Sequence, residues 1–262
     1  MENKETKSTK RQLMISVLLV LLALVSVTAA TTAWFTIANR TKVYSMSMEI
    51  TSGTNLRFDL DAHETFDDYV KELSFAQIAD RMERDLGFDM RTVPLEPVTT
   101  KDVKTFTFED GTVADKKTGA YLEFTLHFMA TEDMLLHLTC ENSDKKNNGT
   151  VIESSRPDLK DAMRISFTAD NQSFVYDPGM GDTSTTANKI KTFGMAEQRK
   201  MVPNKNNQLV WLKKNEDCPI VVRIWLEGED PACSDAIRDG DYRIRLRFVG
   251  TDSEHHILTQ DR

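Results

Sequence analysis

Apolar and polar residues alternate with a period of two along much of the chain. Tyr44, Met46, Met48 and Ile50 alternate with Val43, Ser45, Ser47 and Glu49; Leu122, Phe124, Leu126 and Phe128 alternate with Tyr121, Glu123, Thr125 and His127. Near the C-terminus, Ile244, Leu246 and Phe248 alternate with Arg243, Arg245 and Arg247. Successive side chains of a strand point to opposite faces, so each run predicts a strand with one buried and one wet face. That is the pattern of antiparallel sheets covered on one side. Further strands are predicted at Leu56–Leu60, Lys104–Glu109, Met134–Thr139, Met163–Ala169, Ser173–Asp177, Gln208–Leu212 and Pro219–Glu227. About ten short strands punctuated by Gly, Asn, Asp and Pro predict a mainly β fold, a jelly-roll or immunoglobulin-like β-sandwich.

One stretch departs from this period. From Thr65 to Leu86 the apolar residues Phe66, Tyr69, Val70, Leu73, Ile78, Met82 and Leu86 recur at spacings near three and four, which predicts a helical insertion of one or two pieces. Thr65 followed by Asp68 resembles a helix start, and Gly87 supplies a left-handed stop. A polar insertion from Cys140 to Pro157 reads as a loop. No internal repeat is visible, and residues 34–262 read as one β-sandwich domain.

The N-terminus has a different character. Met1–Gln12 holds Lys4, Lys7, Lys10 and Arg11 against Glu2 and Glu5, and Leu13–Ala33 then carries no charge. A basic start, an apolar run and small residues form the layout of a secretory signal. Thr28-Ala29-Ala30 and Thr31-Thr32-Ala33 place cleavage between Ala33 and Trp34, or between Ala30 and Thr31. The alternative is an uncleaved anchor helix, because the uncharged run continues to Asn39 and a span needs roughly 20 residues. Either way the domain is expected outside the cytosol, secreted or at the cell surface. Contact with the membrane then runs only through residues 13–39, if they are retained.

Charge and candidate chemistry narrow the function. The 262 residues carry a net charge of −8, which argues against nucleic acid as a partner. No pair among His63, His127, His137, His255 and His256 has the HExxH spacing, and His127 and His137 read as surface residues on polar strand faces. The acidic run from Asp59 has Glu64 and Val70 where a calcium loop needs Gly and Glu; the run from Asp235 has Ile237 and Leu246 at ligand positions. No phosphate cradle or nucleophile elbow is present. The expectation is a protein that is not an enzyme, with no catalytic residues, no metal site and no cofactor. Cys140, Cys218 and Cys233 allow one disulfide in an oxidising compartment. Cys218 and Cys233 flank a single strand and lie too far apart, which leaves Cys140 with Cys233, the preferred pair, or with Cys218; three reduced thiols are the alternative.

The junction Ala29-Ala-Thr-Thr-Ala-Trp-Phe-Thr-Ile-Ala-Asn-Arg-Thr-Lys-Val-Tyr-Ser-Met-Ser-Met-Glu-Ile50 resembles the start of the TasA/camelysin group of exported bacterial proteins. In that group a signal ending in small residues precedes an aromatic pair, here Trp34-Phe35, a polar spacer and a first alternating strand, here Val43–Ile50. Val222–Cys233 also resembles surface proteins that share this start. The resemblance implies a biofilm-matrix fibre subunit, processed by a signal peptidase, whose N-terminal segment adds as a strand to the next copy. The assembly segment would comprise Trp34, Phe35, Tyr44, Met46, Met48 and Ile50. An exposed sheet edge is a template for such a strand, although the same residues can pair within their own domain. Two other readings follow from the residues: a membrane-anchored module binding glycan or protein, and, more remotely, a metal-dependent secreted hydrolase.

Overall fold

The computed structural model describes residues 13–23, 41–50, 55–139, 149–156, 158–179, 185–187, 190–194, 203–234, 237 and 239–258. The chain divides into two compact units, residues 1–39 and 40–262. Of the first, residues 13–23 form a helix (α1) with exposed side chains. Among the described residues no helix is long and apolar enough to cross a membrane. Ala30, Thr31, Ala33, Trp34 and Phe35 lie outside the described residues.

The second unit is mainly β and contains two mixed sheets. Six strands make the first: β13 (Gln208–Leu212), β7 (Met134–Leu138), β15 (Asp241–Thr251), β1 (Lys42–Ile50) and β3 (Glu72–Leu73) in that order, with β8 (Val151–Ser154) also paired to β15. The second sheet has nine strands. Its order is β11 (Thr185–Ala187), β12 (Ile190–Gly194), β10 (Gln172–Asp177), β9 (Met163–Ala169), β14 (Cys218–Glu227), β4 (Pro97–Thr100) and β5 (Phe106–Thr107). In addition, β6 (Leu122–Ala130) pairs with β14, and β2 (Leu56–Asp59) pairs with β6. The antiparallel expectation fails at three pairs: β1 runs parallel to β15, β10 to β12, and β14 to β4. The physical reason is that alternation reports which face of a strand is wet and carries nothing about the direction of its neighbour.

Both sheets contribute their inner faces to one core. Met46, Met48, Leu136 and Leu246 come from the six-stranded sheet, and Leu126, Ile165 and Val222 from the nine-stranded one. At its centre the Phe248 ring of β15 meets Phe58, Phe128 and Phe167 of β2, β6 and β9 edge-on, with centroids 6.1, 5.2 and 6.0 Å away. Edge-on rings align the positive rim of one with the negative face of the next, so these contacts fasten sheet to sheet.

The parity of β1 differs from the simple alternation. Tyr44 was expected inside with Met46, Met48 and Ile50; it is 61% exposed, whereas Val43 is 2% exposed. The cause is a register shift between Val43 and Ser45: Val43 pairs with Tyr242 and Ser45 with Arg243, leaving Tyr44 as the extra residue. A bulge of one residue exchanges the faces on either side of it. Outside, the Tyr44 ring receives the Arg243 guanidinium 5.1 Å from its centroid. Val43→Ala is therefore expected to destabilise by about 2–3 kcal/mol, and Tyr44→Ala by less than about 1 kcal/mol. Urea unfolding of the two variants measures this directly; equal losses would contradict the bulge.

The helical insertion is shorter than its spacing suggests. Thr65–Asp68 forms only a 3-10 turn over Phe66–Asp68, with the Thr65 hydroxyl donating to Asp68 Oδ2 at 2.8 Å. Val70 then bridges to Phe58, and Leu73 belongs to β3. The helix, α2 (Phe75–Leu86), starts at Ser74, where the hydroxyl accepts from the Gln77 amide N–H and the Gln77 side chain accepts from Ser74 N. That reciprocal box satisfies two N-terminal donors, which Thr65 cannot do. Gly87 ends the helix at φ 82°, as the sequence predicts. Ile78, Ala79 and Met82 face the core.

Candidate functional site

The N-terminal strand was expected to carry assembly, and the structure places it in the chain's own sheet. Met46, Met48 and Ile50 are core residues of β1, Tyr44 is outside, and Trp34 and Phe35 lie outside the described residues. On one side β1 is paired with β15 over its whole length. Its other edge is held only near its ends. Thr41 and Leu95 exchange backbone hydrogen bonds of 3.2 and 2.6 Å, and Met48 and Glu49 pair with Leu73 and Glu72. Between these contacts no strand among the described residues pairs with that edge. Backbone N–H and C=O groups on such a stretch can accept another strand.

A second feature lies on the outer face of the nine-stranded sheet. Here the expectation of a wet face fails, because side chains from residues 98–121, the edge strands β4 and β5 among them, pack against Val175 and Trp225. Val98, Val103, Phe106, Ala114, Ala120 and Tyr121 form a second apolar cluster with Val175 and Trp225 of the sheet. Phe106 stacks on Tyr121 at 4.2 Å and meets Trp225 edge-on at 5.3 Å. Val103 is held at φ 61°, a costly conformation for a β-branched residue, by Thr100, whose hydroxyl accepts from its N–H at 2.9 Å. Where this cover stops, a cavity of about 620 Å³ opens between Val103, Val175, Ile190 and Trp225 on one wall and Arg164, Asp177, Glu227 and Asp230 on another.

Strand pairing assembles the polar wall. Arg164, the second residue of β9, lies opposite Trp225, while Asp177 closes β10 beside it, since Ile165 pairs with Tyr176. Arg164 Nη2 contacts Asp177 Oδ2 at 3.1 Å and Asp230 Oδ2 more closely; Nη1 donates to the Asp161 and Met163 carbonyls at 2.6 and 2.8 Å. Each carboxylate is oriented further. Asp177 Oδ1 accepts from Gly179 N at 2.9 Å, Asp230 Oδ1 from Ala232 N at 2.8 Å, and Glu227 Oε2 from Trp225 Nε1 at 3.0 Å.

Two histidine clusters complete the picture. His127 Nδ1 donates to Asp217 Oδ2 at 2.8 Å, and the Tyr69 hydroxyl donates to Asp217 Oδ1 at 2.9 Å and accepts from His63 N at 3.0 Å. Burial, with smaller contributions from Asp217, pushes Tyr69 up to about 12. An imidazole oriented by a carboxylate is half of a nucleophile-activating set, yet among the described residues no hydroxyl or thiol is hydrogen-bonded to His127. His137 corrects its reading as a surface residue: it is fully buried. Asn207 and Thr251 close over its face of β7, with Nδ1 donating to Asn207 Oδ1 at 2.9 Å and Nε2 lying 3.0 Å from the Thr251 hydroxyl. The His255 ring packs edge-on at 5.3 Å. Burial lowers the His137 pKa to about 4, so the ring is neutral at physiological pH.

Cys218 and Cys233 are free thiols, and Cys140 lies outside the described residues. Cys218 begins β14 and Cys233 follows its far end, so the strand holds them apart. Burial raises them to about 11 and about 12, which keeps both protonated and weakly nucleophilic. The cavity residues Arg164, Asp177, Glu227 and Asp230 escaped the sequence reading. Their signal was positional: charges at the start of one predicted strand and the ends of two others meet when those strands pair antiparallel. No family model matches the chain, and no curated protein or solved structure matches it.

Proposed function

We propose that the chain is an exported structural protein, a subunit of a surface or biofilm-matrix fibre whose work is assembly and not catalysis. The observation that carries the reading is the edge of β1 between the Thr41–Leu95 and Met48–Leu73 contacts, which no described strand occupies and which follows directly on residues 34–40. In this reading residues 1–33 are a signal removed after Ala33 or Ala30 by a signal peptidase. The mature body is a jelly-roll-like sandwich that keeps β1 for itself, because Val43, Met46, Met48 and Ile50 fill its own core. The segment ahead of Thr41, led by Trp34 and Phe35, adds to the open β1 edge of the next copy. A donor segment and an acceptor edge on different parts of one chain make a head-to-tail contact, which propagates into a filament wherever the rotation between copies does not close a ring. The resemblance of the Ala29–Ile50 junction to TasA/camelysin proteins points the same way.

Mature protein starting at Trp34 is expected to form filaments visible by electron microscopy. Deleting residues 34–40 is expected to abolish them while leaving the urea midpoint of the monomer unchanged. A mature protein that stays monomeric at high concentration, or a deletion variant that still polymerises, overturns the proposal. Mass spectrometry of the exported form reads the cleavage: a mature N-terminus at Trp34 or Thr31 supports it, and retention of Met1 favours the anchored module instead.

A further inference from the structure

We infer that the segment Asp252–Leu258 is an acid-released strap, closed over the buried imidazole of His137 and opened when that imidazole takes up a proton. The device lies at the far end of β15 and does not depend on strand addition at β1.

The strap is lightly held. After Thr251 the chain turns back: Asp252 Oδ1 accepts from the Glu254 and His256 amides at 2.9 Å each, and His255 N donates to the Asp252 carbonyl at 3.1 Å. Beyond the turn, Leu258 N donates to the Gly250 carbonyl at 3.1 Å, and Ile257 bridges to Thr251. Because β7 takes the other edge of β15 here, the strap runs on the side where the ladder with β1 has ended at Ile50. Ser253, Glu254, His256 and Ile257 are exposed, and Leu258 packs against the core only in part. A segment with so little buried apolar surface opens without the rest of its domain.

Its closed state carries two unfavourable features. His255 sits at φ 67°, in the left-handed region that a Cβ disfavours. Its Nδ1 is buried with no hydrogen-bond partner among the described residues, which is destabilising for a polar atom. Both accompany one contact, the His255 ring set edge-on against His137 with 5.3 Å between centroids. Opening relieves both and uncovers His137.

A proton on the covered ring would lack a counter-charge. Packed around His137 are Asn207 ahead of β13, Thr251 of β15 and His255 of the strap. The other charged group acting on it is Lys191 of β12, so His255 and Lys191 both oppose a positive ring. The acidic side chains of the strap are turned elsewhere: Asp252 to the strap amides and His256, and Glu254 to His256. Asn207 and Thr251 offer oxygens to a charged ring, but two neutral groups do not replace the water that burial removes. Burial thus lowers the closed ring to about 4, against 6.5 for the free side chain. The opened form binds the proton more tightly, so opening is favoured as the pH falls through 6.5 toward 4. Linkage raises the opening constant about 20-fold between pH 7 and pH 5.

Amide hydrogen exchange of the full chain, followed residue by residue by NMR, tests this. The His256 and Leu258 amides should be protected about 100-fold less than those of Val222 and Ile224, which lie in a strand paired on both sides and open with the whole domain. Strap protection factors should fall about 20-fold between pH 7 and pH 5. His137→Gln should reduce that fall to less than about threefold, and so should His255→Gly, which removes the covering ring and tolerates the left-handed turn. His256→Gln should leave the fall intact. Where His137→Gln does not fold, His255→Gly decides. Strap amides as protected as the core, a wild-type fall below about threefold, a fall that persists in His255→Gly, or one that vanishes in His256→Gln overturns the inference.

Discussion

Phe248→Ala is expected to cost about 3–5 kcal/mol, the range for removing a fully buried aromatic side chain from a packed core. The effect falls at the upper end because three rings from the facing sheet lose their edge-on partner at once, and each such contact contributes about 0.5–1.5 kcal/mol beyond area burial. Domains of this kind are stable by only about 5–15 kcal/mol, so the variant should lie close to unfolding. Urea denaturation measures the loss as a fall in midpoint. Phe248→Leu, which fills most of the void, should lose less than half as much. Similar losses for the two variants would show that the ring contacts, which both variants lack, outweigh the void.

The second large effect is a loss of stability in mild acid. His137 has a native pKa of about 4, lowered by burial, against 6.5 for the free side chain. The unfolded chain therefore takes up a proton at this position before the folded one does. The stabilisation from keeping the ring neutral is fully present above pH 6.5 and is lost progressively as the pH falls to about 4. It is on the order of 3 kcal/mol over that window. Asp85, Asp102 and Glu123, whose pKa values are lowered, add their own losses further into acid, as the pH falls through their native values. The two windows are separable. Urea unfolding between pH 7 and 4 should show a steep decline in the wild type and a shallower one in His137→Leu, which has no proton to accept. Parallel declines would exclude His137 as the source.

The strands were legible because burial on one face imposes alternation, and at β6, β9 and β14 the predicted ranges match the observed ones closely. Where alternation misled, a local device explains it. At Tyr44 a one-residue bulge reverses parity. At Thr65 a hydroxyl–carboxylate pair imitates a cap, but the capping box at Ser74 and Gln77 decides where the helix starts. His137 sits at a polar position of β7, but its environment depends on residues 70 and 114 positions further along, which no local pattern reports. The cover formed by residues 97–121 was invisible for a similar reason: Phe106 and Trp225 read as ordinary strand residues, Val98 stood in no predicted element, and only the tertiary fold brings them together. The cavity depends on strand register, which no local pattern reports. The Asp170-Asn171 turn, with both residues at positive φ, joins β9 and β10 in a tight hairpin.

The parallel ladder in which Lys42 lies opposite Asp241 governs how the molecule comes into being. Strand β15 is the hub to which β1, β7 and β8 all attach, so the six-stranded layer cannot close until Asp241–Thr251 has been made. Pairings between distant stretches of sequence form slowly, because the entropy of closing the intervening loop opposes them before any contact compensates. A polypeptide made from its N-terminus therefore leaves Lys42–Ile50 without their ladder partner until Asp241–Thr251 has been made, and that strand sets the moment at which the layer locks.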